Sequence, residues 1–179
     1  MSRNYAPTDF TRALDRNAAD LLAYLERRVG AEDAADALAE VMVAAWRHAD
    51  ALPVDAEQSR MWLFGIARNV LANMARSERR RWRLTERLRA TLSNARAGAV
   101  PADEGLDVRD AIARLSPEQA ELVRLIHWEG FTIAAAGEIL GVPASTARTR
   151  YERARAELRE ALAARPNDHT LTTNPITRH

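Results

Sequence analysis

The stretch FTIAAAGEILGVPASTARTRYERARAELREAL, Phe131 to Leu162, decides how the rest of the chain is read. Ile133, Ala136, Ile139 and Leu140 recur at helical spacing, and Gly141 breaks the run. From Ala147 a second stripe follows through Tyr151, Ala154 and Leu158. Gly141 suits a left-handed turn that other residues resist, and Pro143 suits the first turn of a new helix, where its missing N–H costs nothing. The pattern is a helix-turn-helix. At about 100° per residue, Tyr151, Ala154 and Leu158 fall within about 40° of Ala147, while Ser145, Thr149, Glu152 and Ala156 point the opposite way. Arg148, Arg153 and Arg159 flank that outward strip. A helix that hides small and apolar residues and displays hydroxyls, one carboxylate and arginines suits a polar, anionic partner, and duplex DNA fits best. The plainer alternative is a helical hairpin with a solvated face.

The 179 residues carry a net charge of only +1, but the charge is unevenly placed. Residues 1–57 hold 6 Arg against 11 Asp and Glu, residues 58–96 hold 10 against 2, and residues 97–179 hold 10 against 12. A basic block therefore lies between acidic flanks. All 26 cationic side chains are arginine, so the choice of Arg over Lys at any one site carries little information. The absence of cysteine removes disulfides, thiolate metal sites and thiol redox chemistry from this chain. No apolar run approaches the roughly 18 residues of a membrane span, and MSRNYAPTDFTR lacks a signal-peptide core. The expectation is a cytoplasmic protein without membrane insertion.

Upstream, Phe10, Leu14, Leu21, Leu22, Leu25 and Val29 give a helix-compatible pattern that Gly30 ends. In the next helix Ala34, Leu38, Val41, Met42, Ala45 and Trp46 share a face, and Glu32, Asp33, Asp36 and Glu40 cluster early, where a helix N-terminus favours negative charge. LPVDAEQ, residues 52–58, reads as a loop. From Ser59, a third helix carries the stripe Leu63, Ile66, Ala67, Val70, Leu71 and Met74. Along one edge, Trp62, Asn69, Asn73, Arg76 and Arg80 lie within about 40° of a common line. A ring that stacks on bases, amides that bond base edges and arginines that hold phosphate make a track for a partly unstacked strand. The run from Arg76 to Arg89 holds 7 Arg against 2 Glu, which reinforces that reading. A solvated basic helix with Trp62 in the core is the simpler alternative.

ATLSNARAGAVPADEG, residues 90–105, loses periodicity and reads as a linker. The expected architecture is all-α: two small helical domains, residues 8–90 and 106–163, joined by a flexible linker over 91–105, the C-terminal domain containing the helix-turn-helix. In the second domain, LDVRDAIARL precedes Ser116-Pro117-Glu118-Gln119, which offers an N-cap, a first-turn proline and a capping-box Gln. The helix begun there carries Ala120, Val123, Leu125, Ile126 and Trp128. Residues 164–179 are polar with no stripe, and disorder is expected there. The four histidines lack metal-ligand spacing, and no phosphate loop or nucleophile motif occurs. Neither metal nor cofactor is expected, and an enzyme reading has no residues to stand on.

An acidic amphipathic helix, a proline-containing loop, WLFGIARNVLANMARSERRR, a linker and LSPEQAELVRLIHWEGFTIAAAGEILGVPASTARTRYERARAEL follow one another in that order. This order strongly resembles the extracytoplasmic-function sigma factors of bacterial RNA polymerase, over roughly residues 8–162. The resemblance implies that ADALAEVMVAAWRHA docks on the clamp helices of the polymerase's largest subunit, with Asp36, Glu40 and Trp46 at or near the contact. Ala39 stands where the family usually has Gln. Residues 50–58 correspond to the loop that captures a flipped base of the minus-ten element, with Pro53 where an aromatic or polar side chain is frequent. Trp62 and Asn69 match a tryptophan and a base-facing asparagine, and Asn73, Arg76 and Arg80 continue the track.

The last helix corresponds to the one that reads the minus-thirty-five element in the major groove, which assigns Ser145, Thr146, Arg148, Thr149, Glu152 and Arg153 to DNA. Ser145 replaces a frequent glycine, and Glu152 stands where a basic or aromatic residue is common. The implied function is sequence-directed loading of core RNA polymerase onto promoter DNA, with an anti-sigma factor as a further expected partner. The alternatives are a one-component helix-turn-helix regulator acting without polymerase, and a protein-binding helical scaffold.

Overall fold

The computed structural model describes residues 7–89 and 106–163, with side chains described from Asp9 to Arg81 and from Val108 to Ala163. The expected linker and tail lie outside the described residues. All regular structure among the described residues is helical: α1 (Pro7–Val29), α2 (Ala31–Arg47), a short 3-10 turn (Ala49–Ala51), α3 (Ala56–Arg89), α4 (Leu106–Arg114), α5 (Pro117–His127), α6 (Ile133–Leu140) and α7 (Ala144–Ala163). The all-α expectation holds, and no helix among these residues is long and apolar enough to cross a membrane.

Helices α1, α2 and α3 pack on one another as a three-helix unit. Gly30, at φ 86°, turns the chain between α1 and α2 within a single residue, in the left-handed region where a side chain would be strained. The buried stripe of α2 is Ala34, Ala37, Val41 and Ala45, narrower than its hydropathy pattern predicts. Met42 and Trp46, expected on the apolar face, are 43% and 63% exposed, and Val43 joins them at the surface. At about 100° per residue Met42 and Trp46 lie roughly 80° and 120° round the helix from Ala34, past the edge of the buried stripe, whereas Leu38, at about 40°, stays packed against the core.

Helix α3 starts three residues before the expected position. Asp55 caps it, its Oδ1 accepting from the Gln58 amide at 2.9 Å, so the loop predicted over 52–58 shortens to the residues before Ala56. Its buried residues include Leu63, Ala67 and Val70 as expected, and also Phe64, which the predicted stripe omitted.

The second unit begins as its sequence dictates. Ser116 Oγ accepts from the Gln119 amide at 3.3 Å while Gln119 Oε1 accepts from the Ser116 amide at 3.1 Å, the reciprocal capping box that starts α5. Trp128 follows the last turn of α5 and is 43% exposed, so it leaves the stripe that its spacing assigned it to. Thr132 caps α6, and Gly141 ends it at φ 70°, ψ 32°. Pro143 precedes α7, its carbonyl accepting from the Ala147 amide at 2.9 Å. Helices α6 and α7 approach so closely at Gly137 that a Cβ there would lie 2.9 Å from Ala147 Cβ. Ile112, Leu115, Ala120, Val123 and Ala154 form a small core of their own under Tyr151 and Leu158.

The larger core runs through both units. Helix α6 lies against α3, and Leu122, Leu125, Phe131, Ala135, Ala136 and Ile139 join Tyr24, Leu63 and Phe64 in one buried cluster. Phe64 stands edge-on to Tyr24 and to Phe131, with ring centroids 5.1 and 5.0 Å apart. This second packing partner explains why the apolar surface of α3 is wider than one helical stripe.

Candidate nucleic-acid interface

Helix α7 buries Ala147 and Ala154 and presents Ser145, Arg148, Thr149, Glu152 and Arg153 to solvent. Thr146 is half-buried, at the edge of the face rather than on it. Thr149 Oγ1 donates to the Ser145 carbonyl at 3.1 Å, which spends its only proton on the backbone. Among the described residues no ion-pair partner reaches Arg148, Glu152 or Arg153. The face therefore offers two unpaired guanidinium groups and one unpaired carboxylate. The helix is held from behind by Gln119 Nε2, which donates to Glu157 Oε1 at 2.9 Å, and by the His127–Tyr151 contact, 2.9 Å from Nε2 to the phenol oxygen.

The predicted track on α3 divides between two concavities. Trp62, half-buried, and Asn69, exposed, line a notch together with Pro53, the half-buried Arg68, Ile66 and Gly65. Pro53 belongs to the loop expected to take a base, so the notch joins the two parts of the base-reading surface named from the sequence. Its opposite wall is α6, through Glu138, Ile139 and Gly141. Asn73 and Arg80 instead border a groove shared with Asp33 and Glu40 of α2. Arg76 donates to Asn73 Oδ1, which leaves the Asn73 amide hydrogens as its free bonding groups. Sequence reasoning missed Arg68 and Glu138 at the notch. Arg68 lies off the common line of the track, and Glu138 enters only because α6 packs on α3.

On α2, Asp36 and Glu40 are exposed beside the apolar group of Met42, Val43 and Trp46. Trp46 keeps one edge against Phe10, with centroids 5.4 Å apart, which fixes the ring while most of it faces water. Among the described residues no three His, Asp or Glu side chains gather as a metal site requires.

Comparison with known proteins bears on these surfaces. A family model described as Sigma-70 region 2 matches residues 13–81, and one described as Sigma-70, region 4 matches residues 105–158. The chain is 31% identical over 159 residues to the ECF RNA polymerase sigma factor SigL of Mycobacterium tuberculosis, covering 84% of this chain and 88% of that protein. It is 35% identical over 131 residues to the ECF sigma factor SigM of the same species, covering 73% of this chain and 65% of that one. Among solved structures, the sigma factor RpoE of Bartonella quintana, in complex with the anti-sigma factor NepR, superposes with a TM-score of 0.66 at 26% identity, covering 89% of this chain and 99% of that one. With regions 2 and 4 matched in order across its two helical units, the chain belongs to the ECF family of RNA polymerase sigma factors.

Proposed function

We propose that the three surfaces divide the work by which this sigma factor directs core RNA polymerase to promoters and initiates transcription. Helix α2 docks on the polymerase through Asp36, Glu40 and the exposed Trp46. The notch of Pro53, Trp62 and Asn69 holds bases of the opened minus-ten element, and Asn73, Arg76 and Arg80 carry the adjoining backbone. The outward face of α7 enters the major groove of the minus-thirty-five element through Arg148, Thr149, Glu152 and Arg153, with Ser145 and Thr146 at its start. Residues 8–90 and 106–163 fold as separable units, so that each can meet its own element. No step of chemistry belongs to this chain. Phosphate contacts fix register, base contacts give specificity, and captured bases offset the cost of unstacking. An anti-sigma factor restrains the protein, as the RpoE–NepR complex illustrates for a relative. A polymerase partner makes the location cytoplasmic.

The observation that carries this reading is the convergence of Pro53, Trp62 and Asn69 on one notch, from a loop and two turns of a helix. Asn69→Ala is expected to reduce open complex at a cognate promoter while leaving closed complex nearly unchanged. A promoter with a pre-melted bubble should recover much of the loss if the side chain helps to open the duplex. Equal loss of both complexes, with no recovery on the bubble, would remove α3 from strand recognition.

A further inference from the structure

A third concavity, apart from the notch and from the groove along α2, opens where the end of α1 meets α4 and α5. It has a volume of about 570 Å³ and is lined by Glu26 and Arg27 of α1, Arg109 and Ile112 of α4, Arg124 of α5 and Trp128 just after it. Helical spacing builds its walls: Arg109 and Ile112 stand at i and i+3, and Arg124 and Trp128 at i and i+4, so each pair shares one face. The three guanidinium groups are incompletely neutralised. Arg27 Nη2 donates to Glu129 Oε2 at 2.5 Å, which engages only part of that group. Glu121 is taken by Arg28, Nη2 to Oε1 at 3.0 Å, and Arg124 Nη1 is left 3.9 Å from Glu121 Oε2, beyond hydrogen-bonding distance. Arg109 has no ion-pair partner among the described residues. Trp128 is exposed, and its ring meets no aromatic or cationic group among the described residues.

Cations that line one cavity repel one another, and an anion placed among them relieves that repulsion. A guanidinium offers its N–H groups as a planar fork that matches the oxygens of a phosphate, and an exposed indole is a flat platform on which a base can stack. The volume lies within the range of small-molecule sites, about 300–1,000 Å³. Arg109 and Arg124, the two arginines without a close carboxylate, match two phosphate groups. Glu26 has no ion pair among the described residues either, and its carboxylate would repel a further phosphate but can accept from the hydroxyls of a ribose. We propose that this cavity binds a nucleoside diphosphate, with the base on Trp128, the ribose hydroxyls on Glu26 and the diphosphate on Arg109 and Arg124, the free edge of Arg27 completing the cradle. The site is separate from the notch on α3 and from the outward face of α7, and it does not rest on the reading of either.

Isothermal titration of the full-length chain with ADP, with adenosine and with inorganic pyrophosphate tests the site. ADP should bind saturably at one site per chain, more tightly than adenosine or pyrophosphate, and less tightly as salt is raised. Arg109→Ala should weaken ADP and pyrophosphate alike by about tenfold or more. Trp128→Leu should weaken ADP by about fivefold or more and leave pyrophosphate unchanged. Asn69→Ala, in the notch, should leave the affinity for ADP as it is. Arg109 and Trp128 are both exposed, so these substitutions spare the core. Should circular dichroism show Arg109→Ala unfolded, Arg124→Gln carries the same phosphate test. No saturable binding of ADP, or binding unmoved by both the arginine and the tryptophan variants, would overturn the proposal. Binding lost in Asn69→Ala but kept in Arg109→Ala would put the nucleotide in the notch and overturn it equally. Pyrophosphate bound as tightly as ADP, with ADP indifferent to Trp128→Leu, would overturn the nucleoside half and reduce the cavity to an anion site.

Discussion

In the proposed reading of α7, Glu152 is the residue on which sequence specificity turns. It stands on the exposed face with no cation in reach among the described residues, so nothing in the free protein neutralises it. A carboxylate facing a polyanion is repelled unless it accepts a hydrogen bond, and the exocyclic amine of cytosine is the base-edge donor that suits it. Thr149, one turn earlier, already spends its hydroxyl proton on the Ser145 carbonyl, which leaves discrimination at this end of the helix to Glu152 and its arginine neighbours. Sites selected from a randomised upstream element should show a preferred cytosine for the unaltered protein. Glu152→Ala should relax that one position with overall affinity held or raised. Arg153→Ala should lose roughly 1–3 kcal/mol at one guanine if it reads a base, or weaken all sequences together if it holds only phosphate. Glu152→Ala sites identical to the originals at every position would make the carboxylate a bystander.

At the level of elements, the approach of α6 to α7 sets the shape of the helix-turn-helix. Gly137 is not at a turn and has helical neighbours, yet its missing Cβ is what admits Ala147. An added methyl would meet Ala147 Cβ at 2.9 Å and the Val142 carbonyl at 3.3 Å, both anchored to backbone. Overpacking of this kind costs about 1–3 kcal/mol, against up to about 1 kcal/mol regained from the better helix propensity of alanine. Gly137→Ala should therefore lower stability in urea denaturation by about 1–2 kcal/mol, and an unchanged or raised midpoint would show that the helices can shift apart freely. This contact was not legible in the sequence, where Gly137 is one more small residue in an alanine-rich run. What was legible is local: the Ser116–Gln119 box, the Gly141 stop and the Ala147–Ala154 stripe each follow from a few neighbouring residues. The Asp55 cap is equally local, an Asp directly before the first helical residue, although the loop expected over 52–58 runs past it. Met42 and Trp46 look like core by spacing, but they sit at the edge of the Ala34–Ala45 stripe and are exposed. Phe64, Tyr24 and Glu129 acquire their roles from the other unit, across some seventy to a hundred positions of sequence that no periodicity links.

For the molecule as a whole, the two units must be judged against the length of what they read. A packed chain of about 150 residues has a radius of gyration of roughly 15 Å. Elements centred at minus ten and minus thirty-five are separated by about 25 base pairs, or roughly 85 Å of duplex at about 3.4 Å per pair. The packed arrangement cannot meet both, and separation of the units on the polymerase is a geometrical requirement of the proposed division of labour. The loss of apolar periodicity over residues 90–105 carries no sign that the buried residues on either side of it join in one core through α3 and α6. The most direct measurement is transcription reconstituted from purified core RNA polymerase, the full-length chain and a library of promoters randomised at both elements. Initiation at a fixed start, dependent on the chain and enriched for one upstream and one downstream sequence, is the predicted result. Site-specific DNA binding by the chain alone, with no initiation when core polymerase is supplied, would contradict the account.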